Sequence, residues 1–256
     1  MSTNKQGKQR SKPNGYLLFE NSEIVVIATG FVRKSANPKT GDMIQVWILA
    51  RDVNPVRAIK IGADVKVCLD CKHRGKGGKK RTCYVRVANA PLGVWKAYKR
   101  GLYPFLPISE YSQAFERRKV RRKVRFGAYG EPVLIPAAIV AELSRVSDGW
   151  TGYTHQWANP AFAEYRQWLM ASVDSQSEYV AAKADGWRTF RVRTSVESPL
   201  NAREIVCPAS DEAGKRTTCE RCKLCSGTYQ GDGRKDIAIV VHGSGTKQFK
   251  LIQLGA

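Results

Sequence analysis

Acidic side chains are scarce in this chain: 22 Asp and Glu stand against 43 Lys and Arg, a formal charge of +21 over 256 residues. That imbalance excludes an acidic protein and attracts polyanions, which release counterions on contact. Long apolar runs are missing too. The longest mainly apolar stretch, 132–143, is interrupted by Pro136 and is too short to span a bilayer, so no membrane is expected as a partner. Residues 1–15 are polar and basic, unlike a secretory signal, and read as a disordered basic tail. Histidine occurs only three times, too few for a histidine-rich metal centre. No Walker-type phosphate loop, dinucleotide-binding glycine motif or serine nucleophile elbow is present, so ATP hydrolysis and nicotinamide chemistry lack support.

What is present is cysteine in an unusual pattern. Seven cysteines, an odd number, cannot all pair within one chain, and their spacings are not those of a small disulfide scaffold. A reduced, cytoplasmic protein is therefore expected. The first group is Cys68-x2-Cys71-x11-Cys83 and the second is Cys207-x11-Cys219-x2-Cys222-x2-Cys225. Thiolates two residues apart suit a soft metal, because a tight turn lets both sulfurs face one ion. Three thiolates at the second group's pitch, with a remote Cys207 joined to Pro208, match ferredoxin-type iron–sulfur spacing. Three thiolates in the first group would leave one iron of a four-iron cluster without a protein ligand. Zinc is the rival: Cys68–Cys71 and Cys219–Cys222 are also two knuckles of one tetrahedral site, and His73 is a fourth ligand for the first group. Ligand number and softness favour one or two 4Fe–4S clusters over zinc, and both over reduced structural thiols. Each group is expected to converge on its own site.

Three stretches follow along the chain. Residues 1–15 are the tail, 16–64 a small N-terminal β extension, and 65–256 a strand–helix domain carrying both cysteine groups. In the extension, 23–32, 42–50 and 56–62 read as strands, with a turn over 37–42. In the larger domain, apolar runs at 65–67, 123–127, 150–156, 168–173, 189–193, 204–207 and 237–241 alternate with amphipathic stretches. Ser175 and Glu178 form a capping box, and Asn159-Pro160 offers a second helix start. Repeated strand–helix units imply an α/β fold with a parallel sheet, a partial or complete parallel (β/α) barrel. Both cysteine groups are then expected just beyond the C-terminal ends of strands.

The order of these elements resembles the radical S-adenosylmethionine enzymes. The resemblance rests on the cysteine group before the first helix and on the strand 124–134, VRFGAYGEPVL, which ends Gly130-Glu131-Pro132. It covers roughly residues 65–245. The family's usual loop is Cys-x3-Cys-x2-Cys where this chain has Cys-x2-Cys-x11-Cys, and Tyr129 replaces the first glycine of its Gly-Gly-Glu-Pro. The resemblance implies that Cys68, Cys71 and Cys83 hold a four-iron cluster, that S-adenosylmethionine occupies the open iron, and that Gly130, Glu131 and Pro132 contact the cofactor. As a whole the chain also resembles a group of bacteriophage proteins sharing VRFGAYGEP, GYTHQW and CPAS segments, which implies the host cytoplasm as its location and brings no activity with it.

Two further residues are expected at the catalytic centre. His155 alternates onto the face of Tyr153 and Trp157, while Arg191, between Arg188 and Arg193, is expected to point into the barrel mouth toward a carboxylate, phosphate or cofactor. The basic run Arg117–Arg125 and the net charge point to a nucleic acid or nucleotide as partner or substrate. The alternative function is a basic nucleic-acid-binding protein with structural zinc sites. The sequence leaves substrate, reaction and oligomeric state open.

Overall fold

The computed structural model describes residues 13–35, 37–75, 80–116, 122–243 and 245–254. Most of the basic tail, the lysine-rich segment 76–79 and most of the run Arg117–Arg125 lie outside the described residues.

Strands β1 (Gly15–Glu20), β2 (Ile24–Thr29) and β3 (Met43–Ala50) form an antiparallel meander. All eight residues of β3 are buried, as expected of a strand covered on both faces. The run 56–62 is a helix, not a strand: α1 (Pro55–Ile61) begins with Asn54 accepting from the Arg57 N–H, carries Pro55 in its first turn and stops at Gly62. These caps outweigh the β-branched residues between them. The run 65–67 is likewise no strand. It forms α2 (Val65–Cys68), and β3 occupies the position beside the next strand that 65–67 was expected to fill.

The chain continues through α3 (Ala90–Lys99), α4 (Tyr111–Glu116), β4 (Lys123–Tyr129) and α5 (Ala137–Val146). Then come β5 (Trp150–Thr151), β6 (Tyr153–Thr154), β7 (Met170–Val173), α6 (Gln176–Ala184), β8 (Thr189–Arg193) and β9 (Glu204–Val206). The last elements are α7 (Cys219–Cys222), β10 (Asp236–Val240) and α8 (Thr246–Leu254). Asn159-Pro160 does start a helix, but a 3-10 one over Pro160–Gln167. Ser175 accepts from the Glu178 N–H, while the Glu178 carboxylate reaches back to the Asp174 N–H at 2.7 Å.

One sheet has the order β1-β2-β3-β4-β5, parallel from β3 onward; the other, β6-β7-β8-β10-β9, is parallel throughout. The fold is therefore mixed α/β with parallel sheets. No closed sheet forms among the described residues, so the complete barrel is not found. Residues 150–154 join the two sheets, pairing with β4 before Gly152 and with β7 after it. A Cβ on Gly152 would meet Leu169 Cδ2 at 2.5 Å, so only glycine allows this close crossing. Phe126, Ile135, Leu143, Leu169 and Trp187, all at most 1% exposed, fill the core around the junction. Each contributes about 1.5–3 kcal/mol by burial.

Candidate metal centre

All seven cysteines line one cavity of about 320 Å³. Its floor is the inward row of the parallel strands: Arg125, Gly127 and Tyr129 on β4, Tyr153 on β6, Phe190 and Val192 on β8, Ile237 and Ile239 on β10. All seven thiols are free of disulfides.

The first group is closed by a backbone clamp. The Cys71 N–H donates to the Cys68 carbonyl at 3.0 Å, and the His73 carbonyl accepts from Thr82 (3.1 Å) and Cys83 (3.0 Å), which returns Cys83 to the pair. His73 fixes this loop with both ring nitrogens. Nδ1 shares a 2.7 Å hydrogen bond with Thr82 Oγ1, and Nε2 faces Asp174 Oδ2 at 2.8 Å. Asp174 is fully buried and also pairs with Lys72 at 2.8 Å. Burial raises its affinity for a proton, but His73 and Lys72 outweigh that and hold the carboxyl well below its ordinary range. With both nitrogens engaged, His73 supports the loop and is not presented as the fourth ligand that the spacing allowed.

Glu131 stands over this group. Its N–H donates to the Val67 carbonyl at 2.7 Å, tying the turn after β4 to the helix that carries Cys68. Gly130 has φ of +85°, and a Cβ there would meet the Ile48 carbonyl at 2.7 Å, so glycine alone admits this approach. The buried Glu131 carboxylate accepts from Thr154 Oγ1 (2.8 Å) and the His155 N–H (3.3 Å), and lies 3.1 Å from His155 Nδ1. The ligand atoms of Cys71, Glu131 and His155 all lie within 4.8 Å of one another. Burial disfavours a charged imidazole, yet the Cys71 thiolate and the Glu131 carboxylate hold His155 well above its ordinary value.

The second group is assembled from three directions. Cys207 leaves the end of β9, its N–H donating to Ala238 at 2.8 Å. Helix α7 brings Cys219 and Cys222 and is anchored on the β2–β3 turn: Cys219 donates to the Lys39 carbonyl at 2.9 Å, and Glu220 accepts from the Asp42 N–H at 2.9 Å. Lys223 then adopts φ of +56° and ends the helix. The Cys225 carbonyl accepts from Gly152, and Tyr153, the next residue, lines the cavity beside it.

Along β4 the two groups sit at different depths. Tyr129 feels the Cys68 and Cys83 thiols, while Arg125, four residues earlier, feels Cys219. Gly127, between them, offers no side chain, and β4 bulges there against β3. The first group lies beyond the C-terminal ends of β4, β6 and β7, as expected. In the second, only Cys207 directly follows a strand, β9. The β2–β3 turn anchors α7, and it lies far from the second group in sequence.

Burial pushes the thiols of Cys68, Cys83, Cys207, Cys219 and Cys225 upward, and their neighbouring thiols push the same way. The thiols that act on Cys68 are Cys71 and Cys83; those that act on Cys225 are Cys207, Cys219 and Cys222. A soft cation within each set would remove both penalties.

The other expectations divide. His155 faces the cavity. Arg191 does not: it lies on the opposite face of β8 from Phe190 and Val192, buried in a paired contact with Glu204 (2.7 and 2.6 Å) and bonded to the Pro199 carbonyl. Arg193 pairs with Glu212 on that face, and Arg188 donates to the carbonyls of Leu224, Ser226 and Lys235. The alternation was right and the inner face was the apolar one. Within the described part of the basic run, Arg122 pairs with Asp42 and Lys123 with Asp148, and Arg125 turns into the cavity. Tyr84 and Lys39, which also line it, carried no sequence signal beyond their distance from a cysteine. Set against known protein families, curated proteins and solved structures, the chain gives no match. Among the described residues no helix is long and apolar enough to cross a membrane.

Proposed function

We propose that the protein is an iron–sulfur enzyme of the radical S-adenosylmethionine type on a partial parallel (β/α) barrel, acting on a nucleotide or nucleic acid. The observation that carries this reading is the convergence of three thiols, four thiols and the Gly130-Glu131 turn on one cavity. Cys68, Cys71 and Cys83 would hold a four-iron cluster with one open iron. Cys207, Cys219, Cys222 and Cys225 would hold a second, fully ligated one. When bound, the first cluster supplies the electron that cleaves S-adenosylmethionine to methionine and a deoxyadenosyl radical.

The chain's own residues do the rest. The Val67–Glu131 hydrogen bond fixes the distance between the cofactor-facing turn and the Cys68–Cys71 pair. Glu131 orients His155, which brings a ring nitrogen within 4.8 Å of the Cys71 sulfur. Phe190, Val192, Ile237 and Ile239 keep the wall between the groups apolar and exclude water.

Reduced, metal-loaded protein is expected to cleave S-adenosylmethionine slowly to methionine and 5′-deoxyadenosine, and Cys71→Ala to abolish this. Loaded protein that neither binds nor cleaves the cofactor overturns the enzyme reading. A second reading is favoured by the Cys71–Glu131–His155 triad, whose mixed S, O and N donors suit a single zinc ion. It would make the chain a basic nucleic-acid-binding protein with zinc sites, and stoichiometric zinc in place of iron would support it.

A further inference from the structure

Buried arginines in this protein come with carboxylates. Arg74 has Asp64 at 2.8 Å, Arg191 has Glu204 at 2.6 Å, and Arg122 and Arg193 pair with Asp42 and Glu212. Arg125, half-buried at the cavity, has no such partner. Its guanidinium donates to the Tyr84 hydroxyl at 2.8 Å and approaches Gln45 Oε1 at 3.5 Å, both neutral oxygens. Among the described residues no carboxylate lies within 4.0 Å of it, nor of Lys39 Nζ, which lines the same cavity. A guanidinium out of bulk water keeps its charge and calls for an anion, which it meets best through two parallel N–H donors. The acidic group nearest in effect is the Cys219 thiol, a metal ligand in the reading above, so no oxygen anion of the described residues meets these N–H donors.

The surroundings indicate what the anion belongs to. Tyr84 is 52% exposed, and its ring lies 6.3 Å from that of His242 at a tilt of 32°, so two aromatic faces flank the approach to Arg125. An aromatic rim above a cation pair fits a planar base joined to a phosphate. The cavity, about 320 Å³, is at the small end of ligand pockets and too small for a folded strand of nucleic acid.

We propose that Arg125 and Lys39 form a phosphate subsite that anchors a free nucleoside monophosphate between the two cysteine groups, with Tyr84 and His242 against its base. The assignment rests on the enzyme reading above and narrows its substrate to a small phosphorylated nucleoside. Lys39 also places its carbonyl on the Cys219 N–H, so the phosphate would lie next to the second cysteine group. That position leaves the open end of the cavity, under Glu131 and His155, for the cofactor.

The test is calorimetric titration of full-length, anaerobically purified protein with the four common ribonucleoside 5′-monophosphates and the matching nucleosides. At least one monophosphate is expected to bind about tenfold or more tightly than its nucleoside, the effect of one charged hydrogen-bonding contact. Arg125→Gln should erase that preference, and Arg125→Lys should restore part of it. Lys39→Gln, on a turn at the cavity edge, should weaken the preference severalfold and serves if the Arg125 variants do not fold. Equal affinity for all monophosphates and nucleosides overturns the proposal. So does a preference unmoved in every folded variant, or Arg125→Gln that changes only the reduction potential of the bound metal. A 5′-phosphorylated trinucleotide that binds more tightly than any monophosphate overturns the free-nucleotide assignment. Iron and S-adenosylmethionine binding, measured on the same preparations, separate the two ideas: a phosphate preference without iron sinks only the enzyme reading, and iron without the preference sinks only the subsite.

Discussion

Arg191 and Glu204 meet as a buried pair, with Glu204 also accepting from the Asn201 N–H at 2.8 Å. Removing one partner of such a pair leaves the other charged in low dielectric, a cost of about 3–5 kcal/mol. Arg191→Met is therefore expected to lower stability by about that amount in urea unfolding while leaving metal content unchanged. Lost metal with unchanged stability would instead return Arg191 to the cavity. The sequence did announce that these arginines needed partners; what it lacked was the face. A five-residue alternation such as 189–193 fixes which residues share a side and says nothing about which side is inside. The apolar Phe190 and Val192 went inward with Ile237 and Ile239, and the arginines found carboxylates outside. His155 was legible because its strand neighbours Tyr153 and Thr154 alternate around a glycine junction. The His73–Asp174 contact was not, since a loop and a strand end more than a hundred residues apart make it.

Elements were readable where length and caps agreed. Runs 123–127, 189–193 and 237–241 became β4, β8 and β10 with small shifts at their ends. The misreadings were short or capped: 65–67 is three residues, which periodicity cannot assign, and 56–62 carries a full set of helix signals that its isoleucines obscured. The joint between β4 and α2 is the element-scale feature on which the site depends. Gly130 permits it by combining a left-handed backbone with direct contact to Ile48. Gly130→Ala is expected to destabilise the protein by more than about 1 kcal/mol, read from the shift in urea midpoint, and to loosen the Glu131–Val67 hydrogen bond, read from faster hydrogen exchange at Glu131. An unchanged midpoint would mean that the turn relaxes freely and does not fix the cofactor-facing geometry.

Across the described residues, a mixed sheet and a parallel sheet share the run 150–154, and all seven thiols line one cavity. The cysteine spacings predicted two separate convergences, and a backbone clamp closes the first eleven-residue gap, the His73 carbonyl accepting from Thr82 and Cys83. The shared cavity could not be read from sequence, because it depends on the β2–β3 turn packing against α7. The central claim is that each cysteine group holds its own iron–sulfur cluster. Its most direct test is iron and acid-labile sulfide per chain in anaerobically prepared wild-type protein and in Cys71→Ala and Cys222→Ala. The account predicts equal amounts of iron and sulfide in the wild type, with each variant losing about half. Stoichiometric zinc without sulfide, or loss of all metal in either variant alone, would contradict it.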